Sequence, residues 1–191
     1  MKIIVLGSKG YIGENLSSFL ETESHEVVRV DREILDFDDD DYFLTLSTLL
    51  DREKPLVIIN GIGSIDSKVA DDPHLLFNAI VLPTYALFRY FSQNIALSEV
   101  SVIILGSKSA GQPRLNYPIY AALKAAESGL SKTAHEIFEG SKVHWIELKI
   151  PRLLGGLGSL GALSKSGQSS VDLGLAELQS SIVKYISNSQ L

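Results

Sequence analysis

Short unbroken apolar runs alternate along this chain with longer stretches in which apolar positions recur every three or four residues. Ile3–Leu6, Val27–Val30, Leu56–Asn60, Val100–Leu105 and Val143–Leu148 are rich in Val and Ile and predict strands. The first and fourth are apolar at consecutive positions, as expected of parallel strands covered on both faces. Ile12–Glu21, Asp40–Glu53, His74–Asn94 and Tyr120–Glu139 carry the helical period between them. Pro73 suits the first turn of the third helix, and Pro83 inside it predicts a kink. This βαβα alternation predicts an α/β fold, a doubly wound parallel sheet in a single domain.

Beyond this pattern the chain changes character. From Gly155 to Ser170 it is rich in Gly and Ser and reads as a loop, followed by an amphipathic helix at roughly Asp172–Ile186 that is expected to pack back on the sheet. The Asp36–Asp41 run has five acids in six positions and reads as a solvated loop and helix start. A hydrophobic content of 45% and a charged content of 21% are ordinary for a soluble globular chain. The net charge of −6 argues against a broad nucleic-acid surface. There is no cysteine, so disulfides and thiolate metal sites are excluded. The apolar start, Met1–Leu6, is cut short at Gly7 and is too brief for a signal segment or a membrane span. A cytoplasmic protein without a membrane partner is the expectation. His25, His74, His135 and His144 lack metal-ligand spacing, and no metal is expected.

Two constellations carry candidate chemistry. Gly7-Ser8-Lys9-Gly10-Tyr11-Ile12-Gly13 follows the first strand and opens the first helix. Glycines there permit a tight turn and let backbone approach a pyrophosphate at a helix N-terminus, a Rossmann-type feature. Asp31 ends the second strand, where a carboxylate accepts from the adenosine ribose hydroxyls and repels a 2′-phosphate. That favours NAD. Arg32, Arg29 or Lys9 would be the residues to meet a phosphate if NADP were used. Lys9 otherwise reads as solvated charge, as do Lys68 and Lys108. In the second constellation Tyr120 and Lys124 lie four apart on one helix face, and a cation near a phenol favours its ionised form. Such a phenol can relay a proton to a carbonyl/alcohol pair. Tyr117 is a rival, but Ala121 stands where its lysine would be.

Together these motifs resemble the short-chain dehydrogenase/reductase superfamily across nearly all of residues 1–154. Gly10-Tyr11-Ile12-Gly13 is similar to the loop of its extended branch, which holds nucleotide-sugar epimerases, dehydratases and reductases, and the N-terminal half looks most like the dTDP-4-dehydrorhamnose reductase type. The resemblance implies that Asp36 meets the adenine amino group and that Asn60, Gly61 and Ile62 flank the cofactor. It implies that Asn78, after Asp71-Asp72-Pro73, supports the catalytic lysine through water. Ser107, with Ser109 its nearest rival, would steady the substrate oxygen. Tyr120 would relay its proton, and Lys124 would bind the nicotinamide ribose and lower the Tyr120 pKa. Pro151 resembles the proline of the turn beside the nicotinamide.

The implied function is an NAD(P)-dependent oxidoreductase acting on a small-molecule carbonyl or alcohol, sugar derivatives included. A nucleotide-sugar epimerase or 4-keto reductase is one alternative, and an inactive dinucleotide-binding regulatory or scaffold protein is another. Residues 155–191 are too short for the extended branch's nucleotide-sugar lobe, so an open substrate site, or one completed by a partner subunit, is expected. The Ala-rich face of Tyr120–Ser128 suits close helix contact in a homodimer.

Overall fold

In the computed structural model, which describes residues 1–63, 72–94, 99–111, 117–150 and 169–188, each predicted strand forms. They are β1 (Lys2–Leu6), β2 (Glu26–Val30), β3 (Val57–Asn60), β4 (Val100–Ser107) and β5 (Val143–Ile150). All pair in parallel, in the order β2-β1-β3-β4-β5. The helices are α1 (Tyr11–Thr22), α2 (Tyr42–Glu53), α3 (Pro73–Ile80), α4 (Leu82–Gln93), α5 (Pro118–Phe138) and α6 (Ser169–Asn188). A 3-10 turn, Lys108–Gly111, follows β4.

Alternate strand residues face opposite helix layers. Ile4, Leu6, Ile58, Val102, Ile104 and Trp145 pack under α2, α4 and α5. Ile3, Val5, Ile59, Ile103 and Leu105 meet Leu16 and Leu20 of α1 and Leu178, Ile182 and Ile186 of α6. The closing helix therefore packs back on the sheet as its apolar period predicts. Of the Gly/Ser-rich stretch before it, Ser169 and Ser170 already belong to α6, and the rest lies outside the described residues.

The expected single helix His74–Asn94 is two helices, α3 and α4, bent by 44°. Pro83 has no N–H for the carbonyl of Ala79, and its ring crowds that turn, so the helix breaks at Val81. Asp72 caps α3, its carboxylate accepting from the N–H groups of His74 (2.9 Å) and Leu75 (3.2 Å). Among the described residues no single helix is long and apolar enough to cross a membrane.

Helix α5 is fixed against the edge strand by one aromatic anchor. Trp145 Nε1 donates to Ser131 Oγ at 2.9 Å, and the ring stacks on Phe138 with centroids 5.8 Å apart. His135 Nδ1 lies 2.8 Å from the Trp145 carbonyl. Towards its start the same helix carries Tyr120 and, one turn on, Lys124, whose ammonium reaches the Leu105 carbonyl near the C-terminal end of β4.

Candidate active site

All five strands end at the same edge of the sheet, and the chain leaves β1 for β2 on one side and reaches β3 on the other. That reversal opens a crevice beyond β1 and β3, the usual ligand position in open α/β sheets. The glycine loop lies in it. Gly7 has φ +81°, a conformation that favours glycine, and its N–H donates to the Val30 carbonyl at 2.8 Å. A Cβ on Gly13 would stand 2.2 Å from the Gly7 oxygen, so only glycine lets α1 start this close to the loop. Gly10 is the N-cap of α1 and no side chain caps it, which leaves first-turn N–H groups to meet a phosphate. Tyr11 is exposed beside it, and Ile12 packs inward among the core residues of α1 and α6. This cradle fits a dinucleotide.

At the end of β2, Asp31 holds Lys9 at 3.0 Å and accepts the Glu33 N–H at 2.8 Å. Those two bonds, Lys9 first, hold the Asp31 carboxyl below its usual range. Lys9 also reaches Glu33 at 2.8 Å. Both nearby arginines have carboxylate partners. Arg29 is turned onto α1, pairing with Glu21 (2.9 Å) and Glu14 (3.1 Å). Arg32 pairs with Asp36 (2.8 Å) and with Asp38.

Asp38 also accepts from Asn78 Nδ2 at 2.8 Å, and His74 Nδ1 lies 3.5 Å from the same amide. Arg32, Asp36, Asp38 and Asn78 thus form one cluster that ties α3 to the loop after β2. The direct partners of Asn78 are Asp38 and His74. The acidic run, read from sequence as solvated, is in part this fastening.

A second cluster lies under the crevice. Lys124 and Glu127 are buried, 3% and 1% exposed, with Nζ 2.7 Å from Oε2. The ammonium also lies 3.4 Å from the Leu105 carbonyl. Thr84 Oγ1 donates to Glu127 Oε1 at 3.3 Å and accepts from Asn60 Nδ2 at 3.0 Å. Asn60 Oδ1 accepts the Ile62 N–H at 3.2 Å, which shapes the Asn60-Gly61-Ile62 turn. Burial pushes the Glu127 carboxyl above its ordinary range, despite the opposing pull of Lys124. Nearby, Glu147 takes a hydrogen bond from Ser128 Oγ at 2.8 Å. Its Oε1 fills the space a Cβ on Gly106 would need.

Tyr120 is half-buried, its ring against Leu76, Ile80 and Val81 of the α3–α4 bend. Ser107 ends β4 opposite Ile150, half-buried at the same sheet edge. Pro151 lies outside the described residues. Glu127 and Thr84, with Glu147 nearby, are parts of this candidate site that the sequence reading missed. A glutamate three residues after Lys124 on an otherwise Ala-rich helix was the available signal. Among the described residues no group of three or more His, Cys, Asp or Glu is placed to hold a metal.

The fold defines a Rossmann-type α/β protein, with its candidate site at the switch in strand order. More narrowly, the chain belongs to the NAD dependent epimerase/dehydratase family, whose model matches residues 3–116. Among solved structures it is similar to a short-chain dehydrogenase from Burkholderia cenocepacia J2315 in complex with NADP. That match has a TM-score of 0.72 and 18% identity over 93% of this chain and 84% of the other. A dTDP-4-dehydrorhamnose reductase from Bacillus anthracis str. Ames, also with NADP, matches at TM-score 0.68 and 16% identity, over 98% of this chain and 71% of that one. A UDP-glucose 4-epimerase from Thermus thermophilus, complexed with NAD, matches at TM-score 0.60 and 18% identity, over 78% and 54%. No curated protein sequence matches the chain.

Proposed function

We propose that this protein is an NAD(P)-dependent oxidoreductase that interconverts a carbonyl and an alcohol on a small molecule. The observation that carries the reading is the Lys124 ammonium, buried beside the turn after β3 and one helical turn from Tyr120. A bound nicotinamide would supply or accept the hydride. The chain's own residues do the rest. The uncapped start of α1 receives the pyrophosphate, Asp31 takes the adenosine ribose hydroxyls, and Lys124 donates to the nicotinamide ribose. Ser107 Oγ orients the substrate oxygen, and Tyr120 Oη gives or takes its proton.

The acidic end of β2 supports NAD(H) over NADP(H), because Asp31 opposes a 2′-phosphate while Arg29 and Arg32 already serve carboxylates. The epimerase/dehydratase family match, with a dTDP-4-dehydrorhamnose reductase and a UDP-glucose 4-epimerase among the similar structures, supports an epimerase or 4-keto reductase of sugar-derived compounds as the second reading. The test is NADH consumption against a panel of aldehydes, ketones and keto sugars. Turnover on any of them supports the proposal. Saturable NADH binding with no turnover across the panel would favour a binding-only role.

A homodimer through α4 and α5 belongs to the same proposal. Ala122, Ala125, Ala126 and Gly129 face outward on α5, and Tyr85 of α4 is 42% exposed. Ala121, by contrast, packs inward. Light scattering should give twice the chain mass for the wild type and a monomer for Ala126→Glu. A monomeric wild type at micromolar concentration would refute it.

A further inference from the structure

The Lys124–Glu127 pair has a feature that the proposed chemistry does not call for. A lysine needed only as a cation beside Tyr120 has no use for a buried carboxylate 2.7 Å from its ammonium, since the anion offsets its charge. Burying that carboxylate is costly in itself. The pair is also not isolated. Its carboxylate is held on the other oxygen by Thr84, Thr84 is held by Asn60, and Asn60 holds the Ile62 N–H of the crevice turn.

We infer that Glu127 is a positioning residue that acts through Lys124, fixing the ammonium in register with the Asn60–Gly63 turn where the nucleotide ribose is to be met. Lysine has a four-carbon stem and rotatable donors, so an unheld ammonium would sample several positions. Glu127 lies three residues on, on the same face of α5, where it meets the ammonium at 2.7 Å. Thr84 holds its second oxygen, which restrains the carboxylate from following the lysine as it rotates. The Leu105 carbonyl marks a second side of the ammonium. Gly63 marks a third: a Cβ there would stand 3.2 Å from Nζ. An ammonium has three N–H groups. Among the described residues Glu127 and Leu105 account for two, and a bound ribose on the crevice side would take the third.

The inference rests on the dinucleotide-binding reading, and the test separates the two. NADH affinity is measured by nicotinamide fluorescence for the wild type, Glu127→Gln, Lys124→Met and the double variant, each checked by thermal melting. Glu127→Gln is expected to weaken NADH roughly 10-fold when Lys124 is present, the scale of one charge-assisted hydrogen bond. In the Lys124→Met background the same change should alter affinity less than about two-fold, because there is no ammonium left to position. Glu127→Asp, which keeps the charge at shorter reach, should lie between wild type and Glu127→Gln. Equal weakening in both backgrounds would mean a general structural role and overturn the inference while leaving the nucleotide reading intact. Absence of NADH binding by the wild type would overturn both. Should Lys124→Met fail to fold, Thr84→Val decides: several-fold weaker binding supports the positioning chain, and unchanged binding refutes it.

Discussion

Replacing Tyr120 by phenylalanine is expected to lower turnover of any carbonyl substrate by roughly 10²- to 10⁴-fold, the usual contribution of a positioned general acid or base. The ring of Tyr120 packs against Leu76, Ile80 and Val81, and phenylalanine keeps that packing. Fold and NADH affinity should therefore be preserved, and the loss should fall on kcat rather than on nucleotide binding. Steady-state kinetics with a fluorescence titration of the same sample makes the separation. Equal turnover by variant and wild type would remove Tyr120 from the reaction and bring Tyr117 or a bound water forward as the proton source.

The second large effect concerns stability. Lys124→Met leaves the Glu127 carboxylate buried without its cation, a change that costs about 3–5 kcal/mol when a buried pair is broken on one side. The double variant with Glu127→Gln should recover most of it, since Thr84 can still bond the amide. The pH dependence has a definite sign. Burial already raises the Glu127 pKa above its ordinary 4.5, and removing Lys124 deletes the opposing pull. A group whose folded-state pKa is raised loses its contribution as pH rises through that value. The deficit of the single variant relative to wild type should thus be smallest below about pH 4.5 and grow as pH rises through the raised pKa of Glu127. Urea unfolding at several pH values checks this. A Lys124→Met protein as stable as wild type near neutrality would show that the pair is not a closed, buried one.

Much of this architecture could be read from residue order alone. Consecutive apolar positions in β1 and β4 announced strands covered on both faces, and the spacing Gly7, Gly10, Gly13 announced the loop. Both signals are local, set by backbone conformation and burial. The α3–α4 break was legible only as a kink, because Pro83 says that a helical bond is lost but not whether the helix continues. The site divided in the same way. The place of Asp31 at a strand end was legible, and so was the placing of Tyr120 and Lys124 one turn apart on a helix. What the sequence did not disclose depends on contacts between distant segments. Glu127 is linked through Thr84 to Asn60, a chain that crosses three elements. Asn78 meets Asp38 across 40 residues. Arg29 looked available for a phosphate until α1 placed Glu14 and Glu21 against it. Charged residues near a motif advertise chemistry, but their partners decide whether they are free to perform it.

The central claim, that the crevice beyond β1 and β3 takes a nicotinamide dinucleotide with Asp31 on the adenosine ribose, is tested most directly by titrating the purified protein with NADH and NADPH. Binding should be saturable and tighter for NADH, and NADH binding about 10-fold weaker in Asp31→Ala, as expected for loss of hydrogen bonds to a charged group. Tighter binding of NADPH would contradict the role given to Asp31 and turn attention to Arg32 and Lys9. Failure of both nucleotides to bind would contradict the account as a whole.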